Sequence, residues 1–140
     1  MAVIRYKPGE VQLLARLMRA EAEEDGNTGM LLVGNVGVNR VKVRCLDFKN
    51  IDTITKMVYQ RPGGFESTLK GYFYQRARDR DVRLAQRVID GTRIDPASNA
   101  LWFFKPPGNC PAKWFGQANS GRYKAHCFFI PTPAECPDVY

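Results

Sequence analysis

Histidine is almost missing from this chain of 140 residues: His126 stands alone. One histidine excludes an HExxH metal site, which needs two on one helix face. Cysteine is little better supplied. Cys45, Cys110, Cys127 and Cys136 lack the close paired spacing of a zinc finger or ribbon, so no metal site is expected. Their open readings are scattered buried thiols, or a disulfide among Cys110, Cys127 and Cys136. No apolar run approaches the roughly 20 residues that cross a bilayer, so no membrane span is expected. The opening Met1-Ala2-Val3-Ile4-Arg5-Tyr6-Lys7-Pro8 has no signal-peptide core, which implies work inside the producing cell or delivery outside the general export route. Internal repeats, low-complexity tracts and long linkers are also lacking, and residues 1–140 read as one domain.

Acidic residues are outnumbered, 14 against 21 basic, and the net charge of +7 favours an anionic partner. Nucleic acid is the commonest such partner; peptidoglycan, with its stem-peptide carboxylates, is another. Arg76, Arg78, Arg80, Arg83 and Arg87 are locally dense, but their spacing reads as the solvated face of a helix. The residue pattern therefore favours no nucleic acid, with a basic nucleic-acid-binding module kept as an alternative.

Breakers and periodicity predict an α+β fold, mainly α-helical. A first helix is expected over residues 8–24, with Pro8 at a position where its missing N–H costs nothing and Gly26-Asn27 as the stop. Thr28 then caps a second helix over about 29–41, apolar enough to be the buried central one. Its Gly34 and Gly37 make sense if another backbone packs closely there. Shorter helices are expected over 51–59, 69–78 and 81–89, with a loop at Arg61-Pro62-Gly63-Gly64-Phe65. Leu101-Trp102-Phe103-Phe104 and His126-Cys127-Phe128-Phe129-Ile130 read as two strands pairing into a short antiparallel β element near the C-terminus, with a basic loop between them.

On the wheel of the first helix, Gln12, Arg16, Arg19 and Glu23 form a polar stripe. Val11, Leu14, Ala15, Met18 and Ala22 oppose it. Glu21 follows Leu17 by four residues and Leu14 by seven, so it projects with the apolar set while Glu23 does not. A carboxyl on a buried face must be paired or protonated. Burial of such a group raises its pKa, the tuning a general acid needs near neutrality. Glu21 thus reads either as a catalytic acid/base or as a carboxylate paired with a buried arginine, Arg40 being the candidate.

Leu14-Ala15-Arg16-Leu17-Met18-Arg19-Ala20-Glu21-Ala22-Glu23 followed by Gly34-Asn35-Val36-Gly37-Val38-Asn39-Arg40-Val41 resembles the opening of the SleB/CwlJ cell-wall hydrolases. Tyr59-Gln60-Arg61-Pro62-Gly63-Gly64-Phe65, Asn99-Ala100-Leu101-Trp102-Phe103-Phe104 and the basic segment from Gly121 to Phe128 continue the match in order. The compact length is more similar to the CwlJ branch. The resemblance implies a small lysozyme-like domain related to lytic transglycosylases, degrading spore cortex peptidoglycan during germination, with Glu21 as its catalytic glutamate. It further implies synthesis in the mother cell, a place at the boundary of spore coat and cortex, and a spore coat protein partner. No cofactor is required for the chemistry, and calcium dipicolinate is implied as an activator; among the residues, Glu23-Glu24-Asp25 is the only weak calcium candidate. A non-catalytic spore coat protein of the same fold is a further alternative.

A hydrolase normally uses a second carboxylate, whereas a lytic transglycosylase needs only one, which protonates the leaving oxygen and then deprotonates the sugar's 6-hydroxyl. Glu24, Asp25 and Glu66 are the candidates for a second, the first two being expected to stay solvated at a helix end. Phe65, Trp102, Phe103 and Trp114 are candidates to stack on sugar faces, Phe65 being the least suited to the core. Asn39 and Arg40 are candidates to bind substrate or position Glu21, against a helix cap and a salt bridge. Gln60 and Asn99 are candidates for N-acetyl contacts against turn-forming roles. His126 either lines the cleft or closes a strand.

Overall fold

The computed structural model describes residues 1–61 and 64–140; of the expected loop before Phe65, Pro62 and Gly63 lie outside the described residues. Helix α1 runs Pro8–Ala22, and Glu10 accepts a hydrogen bond from the Lys7 backbone N–H at 2.9 Å, closing its first turn. The chain then tightens into a 3-10 turn, Glu23–Asp25, before α2, Gly26–Lys42. Gly26 takes φ 75° at that junction, a conformation open to glycine at little cost. The second helix therefore starts at Gly26 itself, ahead of the expected Thr28 cap.

Helix α2 is the central element, buried from Gly29 to Val41. A Cβ at Gly34 would lie 2.9 Å from Met18 Cε, and one at Gly37 2.9 Å from Met57 Cε. The glycines admit methionine ends, where the sequence suggested a neighbouring backbone. Helix α3, Ile54–Val58, is shorter than expected and is capped by Thr53, whose hydroxyl accepts from the Lys56 N–H. The expected helix over 69–78 is instead two 3-10 turns, Glu66–Leu69 and Gly71–Tyr74, followed by extended chain. Helix α4, Asp79–Ile89, packs with α1 and α2 around Leu14, Leu17, Met18, Met30, Ala85 and Val88.

Strands β1 (Trp102–Phe104) and β4 (His126–Ile130) pair antiparallel, with Phe103 opposite Phe128, as the two aromatic runs predict. The segment between them is more than a loop. It holds β2 (Lys113–Trp114) and β3 (Gln117–Tyr123), giving a four-stranded sheet in the order β1-β4-β3-β2. Leu32 and Val36 of α2 pack with Ala97, Ala100 and Phe128, joining sheet to helices. All four cysteines are paired, Cys45 with Cys136 and Cys110 with Cys127, in place of free thiols. Of the arginines expected on one solvated helix face, Arg80, Arg83 and Arg87 are exposed on α4, whereas Arg76 and Arg78 precede the helix and Arg78 is half-buried, paired with Glu23 and Asp81. No described helix is long and apolar enough to cross a membrane.

Candidate active-site cleft

The last turn of α1, α2, the chain leading into the 3-10 turns, and the sheet enclose a cavity of about 790 Å³. Glu21 stands on its wall, half-buried where Leu14 and Leu17 of the same helix face are sealed. The helix periodicity placed Glu21 correctly with the apolar set. The cavity opens beneath the helix end, and this accounts for a carboxyl that reaches solvent from an otherwise closed face.

Arg40 lines the same cavity from α2 and is 5% exposed. Its Nε donates to the Leu101 carbonyl at 2.8 Å, and its guanidinium lies 4.9 Å from the Phe48 ring centre and 4.8 Å from that of Phe65. Burial pulls its pKa down to about 10, and the nearby Glu21 charge offsets part of that burial cost. Glu21 and Arg40 are thus electrostatic neighbours across the cleft.

Phe65 is buried among core residues, contrary to the expectation that it would be the least core-like aromatic, though its edge still reaches the cavity. It leans on Phe103, ring centres 5.9 Å apart, and Phe103 stacks on His126 at 5.4 Å and 19°. His126 opens β4, is 4% exposed and lines the cavity as well. Its Nδ1 lies 2.6 Å from Oδ2 of Asp25, a residue expected to stay solvated. The cause is the 3-10 turn: α-helical rotation ends at Ala22, and the tighter turn swings Asp25 inward while Glu24 remains exposed.

That turn also divides the acidic run proposed as a calcium candidate. Glu23 is held by Arg19 at 3.1 Å, by Arg78 at 2.7 Å and by a short hydrogen bond from the Tyr72 hydroxyl. The Tyr72 bond, opposed by burial and aided by both arginines, keeps its carboxyl below the usual range. Among the described residues, no group of three or more His, Cys, Asp or Glu side chains is placed to hold a metal ion.

Trp102 and Glu66 also line the cavity, Glu66 exposed at the start of its 3-10 turn. Three other candidates lie elsewhere. Asn39 is buried and donates through Nδ2 to the carbonyls of Ala97, Ser98 and Ala100, at 3.2, 3.2 and 2.9 Å. It pins the chain leading into β1 and has no face on the cleft. Asn99 accepts a short hydrogen bond from Arg93 and borders a separate groove with Asp95, Ser120 and Arg122. Gln60 is buried and does not line the cavity.

Residues that the sequence reading passed over complete the cleft: Asp47, Lys70, Lys105, Phe115 and Gln117. Phe104 stacks on Trp114, ring centres 4.5 Å apart, and Trp114 abuts Phe115 at 5.3 Å. Phe115 and Gly116 form the two-residue turn between β2 and β3 with φ 50° and 85°, the twist that suits a tight hairpin. A phenylalanine in that left-handed conformation costs about 1 kcal/mol or more. It is nonetheless 84% exposed. The one local signal was a glycine after two aromatics, Trp114-Phe115-Gly116, set in a polar segment that does not read as strands.

A sequence model of the family described as Cell Wall Hydrolase matches residues 24–129, starting three residues after Glu21. The chain is 67% identical to "Cell wall hydrolase CwlJ" of Oceanobacillus iheyensis over its whole length and 99% of that protein. Its fold is similar to the catalytic domain of the Bacillus cereus SleB protein, with a TM-score of 0.72 at 21% identity over 92% of this chain and 97% of that one. It is also similar to the catalytic domain of the germination-specific lytic transglycosylase SleB from Bacillus anthracis, with a TM-score of 0.70 at 21% identity over 89% and 96%.

Proposed function

Since the chain belongs to the SleB/CwlJ family of cell wall hydrolases, we propose that it is a spore cortex-lytic enzyme in which Glu21 protonates a glycosidic oxygen of peptidoglycan. The coarser part follows from the family: the protein is a peptidoglycan hydrolase. The finer part rests on one observation. Glu21 is a half-buried carboxyl on the wall of a cavity that also holds a buried cation, Arg40, and a shelf of aromatic rings.

Each element has a use in glycan cleavage. The apolar flank of Glu21 limits water access, which strengthens every charge interaction made inside the cleft. Sugar rings present flat apolar faces, and Trp102, Phe104, Trp114 and Phe115 offer rings at the cavity edge on which to lay them. Arg40 is fixed by Leu101 and two rings, so its charge is placed before substrate arrives. The exposed Asp47 and Glu66 are the remaining cavity carboxylates among the described residues. We favour a scheme in which Glu21 is the one catalytic carboxylate, of lytic transglycosylase, muramidase or glucosaminidase type. The likeness of fold to a domain described as a lytic transglycosylase supports it.

The proposal extends to setting. Residues 1–140 act as one catalytic unit on cortex peptidoglycan at the boundary of coat and cortex, with a spore coat protein as partner and calcium dipicolinate as activator. The experiment is digestion of decoated spores and purified cortex by the wild-type chain and Glu21→Gln, with and without calcium dipicolinate. Fragments cut in the glycan strand by the wild type alone support the reading; equal digestion by the variant overturns the assignment of Glu21.

A further inference from the structure

Asp25 and His126 are 101 residues apart in sequence and 2.6 Å apart in space, one from the turn after α1 and the other from the first position of β4. Both are buried, at 8% and 4% exposure. A buried Asp–His contact often serves only to tie two elements together. Three observations go beyond a tie. His126 lines the same cavity as Glu21. Phe103 stacks on its imidazole face and Phe128 tilts against it, so the ring plane is set. Finally, its one hydrogen bond among the described residues is made through Nδ1, and Nε2 is not among the buried polar atoms lacking a partner. Nε2 is thus the ring nitrogen left for the cavity that the His126 side chain lines.

The carboxylate fixes the tautomer. An ionised Asp25 accepts a hydrogen bond, so the proton sits on Nδ1 and the lone pair of a neutral imidazole is left on Nε2. The charged groups around the cavity are Glu21 from α1, Arg40 from α2, Asp47, Glu66 and Lys70 from the connecting turns, and Lys105 after β1. Arg40 and Glu21 are neighbours in charge, whereas His126 has its own counter-ion in Asp25.

We propose that His126 is the general base of the cleft and Asp25 its positioning residue, completing the acid supplied by Glu21 and resting on that assignment. As the bond between C1 and the glycosidic oxygen breaks, the proton of the Glu21 carboxyl passes to the departing oxygen. The attacking oxygen, of a water or of the sugar's own 6-hydroxyl, forms the new bond to C1 and gives its proton to His126 Nε2. The imidazolium keeps its Nδ1–H on the Asp25 carboxylate, which stabilises the new positive charge. Transfer of the Nε2 proton back through solvent to Glu21 restores both groups. Two groups then divide the labour that a single glutamate would otherwise perform in sequence, and the wet or anhydro product depends only on which hydroxyl lies at Nε2.

The test uses the full chain on purified cortex glycan, with Glu21→Gln, His126→Gln and Asp25→Asn compared with wild type. General-base removal should lower kcat by about 10²–10⁴-fold in His126→Gln, with KM little changed. Asp25→Asn keeps the size but can donate to Nδ1, turning the proton-bearing nitrogen toward the cavity; kcat should fall at an unchanged Tm. The acid limb of the kcat profile, where Nε2 becomes protonated, should disappear from the residual activity of His126→Gln. Where His126→Gln does not fold, Asp25→Asn and rescue of His126→Ala by added imidazole decide. Folded Asp25→Asn with wild-type kcat, or an acid limb unmoved in His126→Gln, overturns the proposal while loss of activity in Glu21→Gln leaves the acid in place. Full activity in Glu21→Gln instead removes the reading on which the proposal rests.

Discussion

Replacing Cys45 and Cys136 together by serine opens a cross-link that spans 91 residues. In the chain-entropy account, closing a loop of that length removes about 4.6 kcal/mol of unfolded-state freedom, against about 3.1 kcal/mol for the 17-residue Cys110–Cys127 loop. An unfolding entropy of about 2.1 cal/mol/K per residue makes each kcal/mol worth about 3–4 °C in a chain of 140 residues. The first double variant should melt about 15 °C below wild type and the second about 10 °C below. The larger loss has a functional side. Cys136 is buried with Phe48 and Leu101 against Trp102, so the same bridge braces the ring beneath Arg40 and one wall of the cleft. Near-ultraviolet circular dichroism during heating, with and without reductant, gives the midpoints, and thiol titration in denaturant counts free cysteines. Equal midpoints for oxidised and reduced wild type, or four titratable thiols in unreduced protein, would refute the reasoning.

Asn39→Ala removes a donor shared by three carbonyls, two of them buried; unfolding in urea should show a loss of about 1–3 kcal/mol. Because Asn39 has no face on the cleft, activity per folded molecule should be kept, and a specific loss of kcat would return it to the site. Phe115→Ala cuts away an exposed ring at the hairpin tip, so Tm should move little while KM for long glycan strands rises several-fold. An unchanged KM would remove Phe115 from the substrate shelf. Glu23 and Asp81 are held below the usual carboxylate range, Glu23 by Tyr72 foremost, and Asp81 by Arg78, whose bonds outweigh the opposing effect of burial. Folded pKa values below the unfolded ones give stability that is present above the unfolded values, near pH 4, and lost as pH falls through the folded ones. Thermal midpoints should therefore drop below about pH 4, and the drop should be shallower in Glu23→Gln.

The wheel of α1 was enough to separate Glu21 from Glu23, because regular rotation of about 100° per residue holds through Ala22. It failed one turn later. Asp25 ends a 3-10 turn and precedes a glycine at positive φ, and neither rotation nor burial can be extrapolated through such a junction. Its partner lies 101 residues away, so no local pattern connects them. Strands β1 and β4 were legible as aromatic runs bounded by prolines, whereas β2 has two residues and β3 is polar and glycine-containing, which hides both. Asn39 illustrates a different limit. A polar residue inside an apolar helix or loop announces a buried hydrogen-bonding role, but composition does not say whether it faces a backbone carbonyl or a ligand. The arginines of α4 were read correctly as solvated because the opposite face, Leu84, Ala85, Val88 and Ile89, is unbroken.

Mass spectrometry of the muropeptides released from purified cortex by wild-type protein and by Glu21→Gln tests the central claim most directly. The account predicts wild-type fragments that end at a cut glycosidic bond, and a variant that folds with the same Tm yet releases them at least about 10³-fold more slowly. Stem-peptide cleavage by the wild type, or matching fragments released at a matching rate by Glu21→Gln, would contradict it.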